Sequence, residues 1–311
     1  MKLDIPPLDR SSYFPIGNLE NPFADYVYQR VNHPTATKLE EVLAYLENGS
    51  HALAFSWGMS AIHTLLWTVL KSYDRLIISE DLYSGTTTLC KELSVRMPIW
   101  IDIVDTRDPQ KVNQAIQHNT RLILFETISN PRIWAADIGK IAKIAHTKKV
   151  LVAVDNTFCT PLICNPLYWD ADFVIHSTTK AISGHGDTGG GVIIFNDTNW
   201  LSPLIKARTL LGSIQKPDDA ERHLREIQTM EIRLAQQVAT AGTLAIRLQS
   251  HKKVEQVLYP GLPTYPQKEL AEKQLEAPGS MMAFSIRGNL QSAKKFLLSL
   301  KQITVAVSTG S

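Results

Sequence analysis

An α/β fold built on a mostly parallel, doubly wound sheet is predicted by three observations. First, short apolar runs rich in β-branched residues recur at 76–79, 99–104, 122–125, 150–154, 173–175 and 192–195. Continuous apolar runs bounded by polar and glycine residues read as strands buried on both faces. Second, helical patterns such as Ile138, Ile141, Ala142 and Ala145 lie between them, and strands that alternate with helices imply a parallel sheet. Third, 311 residues with 44% hydrophobic content are enough for one large core and a smaller second unit.

The elements follow in order. Pro6, Pro7, Pro15 and Pro22 favour an extended arm over residues 1–33. Thr37 and Glu40 have capping-box spacing, Leu39, Val42, Leu43 and Leu46 follow at helical spacing, and Asn48-Gly49 ends that helix. A strand at 52–55 leads through the turn Ser56-Trp57-Gly58-Met59 to a helix marked by Ala61, Ile62, Leu65, Leu66 and Val69. A strand–turn–helix with glycine at the turn presents free backbone N–H groups to an anion. Residues 200–211 read as a helix, and 217–248 as a largely helical stretch interrupted at Gly242. A strand at 281–286 and a helix at 293–300 complete the pattern. The expected organisation is an arm at 1–33, a large domain at 34–245 and a small domain at 246–311.

The net charge is +2 with no basic run, so a nucleic-acid partner is not expected. No stretch is long and apolar enough to span a bilayer, and MKLDIPPLDR has no apolar signal core. Cys90, Cys159 and Cys164 lack zinc-type spacing and read as buried thiols, so no metal is expected. A cytoplasmic protein is the default.

Chemistry concentrates in 150–195, VLVAVDNTFCTPLICNPLYWDADFVIHSTTKAISGHGDTGGGVIIF. One apolar run ends on Asp155, the next on His176-Ser177-Thr178-Thr179-Lys180. In open α/β sheets, functional groups gather at the carboxyl ends of strands. A lysine and a carboxylate there suit pyridoxal phosphate (PLP), which needs an amine for a Schiff base and an acid to hold its pyridine nitrogen protonated. A structural ion pair is the alternative, and these two residues alone leave both open. Gly184-His185-Gly186-Asp187-Thr188-Gly189 matches GxGxxG but precedes an apolar strand, not a helix, which argues against a dinucleotide loop. Ser177-x-x-Lys180 lacks the companion motifs of penicillin-binding proteins.

DNTFCTP, HSTTK and GHGD together resemble the cystathionine γ-synthase-like (Cys/Met metabolism) family of PLP enzymes, and the resemblance runs from Pro6 to Gly310. It implies the fold-type-I PLP architecture. By this resemblance Lys180 is the Schiff-base lysine and proton shuttle, Asp155 the pyridine-nitrogen partner, and Ser177 and Thr179 phosphate ligands. Gly58 and Met59 match the phosphate-binding Ser-x-Gly-Met turn. Tyr83 is the ring stacked on the cofactor and an aid to proton transfer. Asn130, in Glu126-Thr127-Ile128-Ser129-Asn130-Pro131, contacts the cofactor and the substrate carboxylate. Tyr28 and Arg30, in a segment where Gln29 and His33 depart from the family pattern, reach the phosphate of an adjacent subunit. The expected assembly is therefore a homodimer or homotetramer with shared sites. Val257-Leu258-Tyr259-Pro260-Gly261-Leu262-Pro263 matches the family's small-domain marker, and Ser308 is expected near the substrate.

Two departures shape the expected activity. Thr88 stands where cystathionine-handling members carry an arginine for the distal carboxylate. The sequence stops before the segment that holds the arginine for the α-carboxylate, so the small domain is expected to be incomplete. The leading expectation is β- or γ-elimination or replacement on a sulfur-containing amino acid, methionine γ-lyase-like. Cystathionine γ-synthase or lyase and O-acylhomoserine sulfhydrylase chemistry stay open. A PLP-binding but catalytically impaired homologue, acting as an interaction subunit, is the alternative of another class.

Overall fold

The computed structural model describes residues 5–17, 19–20 and 26–306. Its centre is a seven-stranded sheet in the order β1-β7-β6-β5-β4-β2-β3. The strands are β1 (His51–Phe55), β2 (Arg75–Ser79), β3 (Trp100–Val104), β4 (Thr120–Glu126), β5 (Leu151–Asp155), β6 (Phe173–His176) and β7 (Gly191–Phe195). Strands β2 to β6 pair parallel, and β7 runs antiparallel to both its neighbours, β1 and β6. The mostly parallel sheet expected from the apolar runs is therefore present.

Helices cover both faces: α1 (Pro34–Leu46), α2 (Gly58–Val69), α3 (Ser84–Arg96), α4 (Pro109–Ala115), α5 (Ile138–Thr147), α6 (Leu201–Leu211) and α7 (Pro217–Ile227). The period of two in a strand divides the core. Val152 and Val154 pack with Leu39, Ile141 and Leu224, whereas Ala153 packs with Leu65, Leu93 and Leu204 on the other face. After α8 (Met230–Gln249), strands β8 (Val254–Leu258) and β9 (Ala283–Ile286) pair antiparallel, with α9 (Lys268–Gln274) between them and α10 (Leu290–Ser299) after. No helix among the described residues is long and apolar enough to cross a membrane.

Three local expectations need correction. The first helix starts earlier than the Thr37–Glu40 spacing implies: His33 is its N-cap, and its Nδ1 accepts from the Ala36 N–H at 3.2 Å. Glu40 instead accepts from the Ala54 N–H and from Arg208, which is 1% exposed. The long helical stretch breaks at Gln228–Thr229 and not at Gly242, which lies inside α8. A single glycine costs a helix only about 1 kcal/mol, which packing along a 20-residue helix offsets. The last strand is confined to Ala283–Ile286, because the preceding Gly279 has φ +83° and turns the chain. The three cysteines are buried and free. The arm is tied down where Arg10 donates to Asp218 on α7 and where Tyr13 bridges Tyr28.

Candidate active site

The strands β4 and β5 end in register on Glu126 and Asp155, and Asp155 pairs with Ile175 of β6. Their carboxyl ends open into a cavity of about 310 Å³. Because side chains alternate along a strand, one row of residues faces it: Glu126 and Ile128, Asp155 and Thr157, then Ser177. The β6–β7 connection adds Thr179 and Lys180, and α2 contributes Gly58, Met59 and Ile62 from its first turns. Tyr83, the N-cap of α3, and Asn130 close the rim.

A chain of short contacts fixes the floor. The Thr157 hydroxyl donates to Asp155 Oδ1 at 2.5 Å, and the Thr157 N–H donates to the same oxygen at 3.0 Å. In turn the Ser177 N–H donates to Thr157 Oγ1 at 2.8 Å. A tight turn follows, in which the Lys180 N–H bonds the Ser177 carbonyl at 3.2 Å. Thr179 is pinned to the Gly190 backbone: its hydroxyl donates to the carbonyl at 3.2 Å, and the Gly190 N–H donates back to Oγ1 at 3.0 Å. The N-terminus of α2 meets Ser177 so closely that a Cβ on Gly58 would lie 2.7 Å from Ser177 Cβ. Only glycine permits this approach.

Glu126 ties the rim together. Its Oε1 accepts the Tyr83 N–H at 2.9 Å and its Oε2 accepts the Asn130 N–H at 2.7 Å. Burial and the neighbouring Asp155 carboxylate push the Glu126 carboxyl well above its ordinary range, against those two hydrogen bonds. Burial also pushes Asp155 up, opposed by its bonds from Thr157 and by nearby His176. Partial burial lowers the Lys180 ammonium, because desolvation disfavours the cation. An amine readied to lose its proton, a buried carboxylate and an anion-receptive helix N-terminus therefore face one space.

Ten of the eleven residues singled out in the sequence lie among the described residues, and eight of them line this cavity. Gly58, Met59, Tyr83, Asn130, Asp155, Ser177, Thr179 and Lys180 line it. Tyr28 and Arg30 do not: the Arg30 guanidinium lies 5.5 Å from the Tyr28 ring centre and donates to the Thr209 carbonyl at 2.7 Å. Ser308 lies outside the described residues. Three residues that shape the site were not singled out. Glu126 was legible as the first residue of the Asn-Pro segment, and Thr157 as the second residue after Asp155, a spacing that favours a local side chain–backbone turn. Trp57, over Gly189 at the mouth, carried no sequence signal of its own.

The sequence profile described as Cys/Met metabolism PLP-dependent enzyme matches residues 3–311. The chain is 39% identical over 288 residues to an L-methionine gamma-lyase of Porphyromonas gingivalis, covering 92% of this chain and 72% of that protein. It is 37% identical over 287 residues to a cystathionine beta-lyase of Coxiella burnetii, covering 92% and 74%. Among solved structures, cystathionine gamma synthase from Xanthomonas oryzae pv. oryzae in complex with aminoacrylate and cysteine superposes with a TM-score of 0.94 at 35% identity. That match covers 98% of this chain and 79% of the other. The chain belongs to the Cys/Met metabolism family of PLP-dependent enzymes.

Proposed function

We propose that this chain eliminates a thiol from a sulfur-containing amino acid, with methionine γ-lyase-like chemistry, using the cavity between Lys180, Asp155 and the α2 N-terminus. The observation that carries the reading is the convergence of that amine, that carboxylate and those backbone N–H groups on one space. The donor set fits PLP: Gly58 lets the α2 N-terminus approach Ser177 closely, where a Cβ would clash, and Asp155 has a carboxylate oriented by two bonds from Thr157.

When bound, PLP supplies a carbonyl for the substrate's amine and a cationic ring that withdraws electrons from the bond being broken. Lys180 Nζ would hold the cofactor and would serve as the base for the proton on the substrate Cα. Asp155 would hold the ring nitrogen protonated, and that cation would in turn favour its carboxylate form. The α2 N-terminus, with Ser177, binds the phosphate. Tyr83 would cover the cofactor and Asn130 would orient the substrate, with Glu126 holding both segments by their backbones. In a dimer, Tyr28 and Arg30 reach the phosphate of the neighbouring subunit, since a planar guanidinium suits that group. A monomer that retains PLP tightly would contradict the shared site.

For substrate class, the reading rests on the walls beyond the amine, which include Ile62, Ile128 and Phe158. Thr88 turns its hydroxyl back to the Ser84 carbonyl at 2.8 Å and offers no cation to a distal carboxylate. A thioether suits such a wall better than a dicarboxylic substrate does. The test is thiol, 2-oxo acid and ammonia release from L-methionine, L-cystathionine and L-cysteine, with Lys180→Ala alongside. Turnover best with L-methionine and abolished in the variant is expected. PLP bound at Lys180 without turnover of any of the three would instead favour the impaired-homologue reading.

A further inference from the structure

Behind the row that faces the cavity lies a second one. The register that pairs Glu126, Asp155 and Ile175 continues by one residue to Thr127, Asn156 and His176, since the Thr127 N–H bonds the Asp155 carbonyl and the Asn156 N–H bonds the Ile175 carbonyl. One step along a strand reverses the face. These three polar side chains therefore point away from the cavity, and each is fully buried. Asn156 and His176 converge on one carboxylate, Glu47, and Thr127 is linked to it through Asn156; Glu47 is also fully buried and caps the C-terminus of α1.

The network is nearly saturated. The Thr127 hydroxyl donates to Asn156 Oδ1 at 2.7 Å. Asn156 Nδ2 donates to Glu47 Oε1 at 2.9 Å and to the Cys164 carbonyl at 2.7 Å. His176 Nε2 donates to the same Glu47 oxygen at 2.6 Å, and Asn165 Nδ2 donates to Glu47 Oε2 at 2.6 Å. A buried carboxylate is tolerated only when hydrogen-bonded in this way. Hydrophobic residues of similar volume would serve the core as well or better, so core stability alone does not account for four polar side chains here.

We infer that Glu47, through Asn156, His176 and Thr127, is a positioning residue that fixes the three strand ends carrying Glu126, Asp155 and Ser177. Each of those site residues is the chain neighbour of a network member, so a shift of the second row displaces the first. Among the described residues, the Glu47 side chain bonds Asn156, Asn165 and His176, none of which lines the cavity, so it acts only through its partners. The inference rests on the placement of PLP against Lys180 and Asp155 proposed above.

Two variants and one control test it. Glu47→Gln supplies one acceptor oxygen where two serve three donors, and turns an amide against one of them. Thr127→Val removes only the far hydroxyl at nearly constant shape, and decides the matter if Glu47→Gln does not fold. Ile141→Val, on α5 in the same core, reproduces a loss of packing without touching the network. PLP affinity is measured by equilibrium dialysis well below each melting temperature, with the visible band of the bound cofactor and borohydride labelling of Lys180. A weakening of about tenfold is expected in Glu47→Gln, the scale of one charge-assisted hydrogen bond, and of about threefold in Thr127→Val, the scale of one neutral hydrogen bond. An altered band should accompany it, while Ile141→Val stays at the wild-type values. Wild-type affinity and band in Thr127→Val overturn the inference, as does an equal loss in Ile141→Val. A wild-type protein whose label is not on Lys180 overturns the cofactor placement and the inference with it, whereas a correct label with unaffected variants overturns the inference alone.

Discussion

Gly58→Ala probes the tightest contact in the site. The added Cβ would lie 2.7 Å from Ser177 Cβ and 3.0 Å from both Ser177 Cα and Oγ. Ordinary carbon–carbon contact is about 3.5–4.0 Å, so α2 and the Ser177 turn must separate by about 1 Å. Ser177 cannot yield freely, because its N–H is held by Thr157 Oγ1 and Thr157 is held by Asp155. Overpacking of this kind costs about 1–3 kcal/mol. Better helix propensity returns at most about 1 kcal/mol, and less at a first-turn position. The net loss lowers the melting temperature by a few degrees at about 2–4 °C per kcal/mol. The effect on the cofactor is larger. A misplacement of about 1 Å in a preorganised site costs on the order of a hundredfold, so PLP affinity should fall far more than stability does. Trp57 lines the cavity beside Gly58, and its fluorescence quenching gives the affinity directly, with thermal melts of the cofactor-free protein run in parallel. Unchanged affinity with an unchanged melting temperature would refute the argument, since it would mean that α2 and Ser177 are not wedged together.

Further predictions follow from the same geometry. Glu126→Gln mimics the protonated side chain. Because the folded carboxyl is pushed up by burial and by Asp155, its stability contribution is present below the unfolded value of about 4.3 and is lost as pH rises through the folded value. Urea melts should therefore show wild type losing stability relative to the variant as pH rises from the acid side, and parallel curves would count against the raised carboxyl. The same variant should lower kcat, since one of the two backbone N–H groups, at Tyr83 or Asn130, loses its acceptor. Arg208→Leu strands the Glu40 carboxylate with only the Ala54 N–H and should cost about 3–5 kcal/mol. Adding Glu40→Leu should recover part of that loss in denaturant melts, and no recovery would argue against the ion pair as the cause. Lys180→Ala should abolish borohydride-stable incorporation of PLP and all thiol release.

Much of this was legible because two kinds of information are local. Strand and helix periods are written in consecutive residues, so the apolar runs ending on Asp155 and on His176-Ser177 located the carboxyl edge of the sheet. Chemical motifs such as HSTTK and GHGD are likewise short, and they carried the family and the cofactor. Local signals misled where a distant partner outbid them. The Thr37–Glu40 spacing reads as a cap, yet Glu40 is drawn across to Ala54 and Arg208, and His33 caps the helix in its place.

What the sequence by itself determined is the sheet, its functional edge, the family, and eight of the residues lining the cavity: these depend on periodicity and motif, which need no knowledge of the partner. Only the tertiary structure decided which side chains hold them. Glu126 joins Tyr83 and Asn130, Thr157 links Asp155 to Ser177, and Glu47 gathers Thr127's neighbour Asn156 together with His176 from 109 and 129 residues away. Nothing in the local pattern marks such a carboxylate, because burial and hydrogen bonding between remote segments are properties of the packed chain and exist only once it has folded.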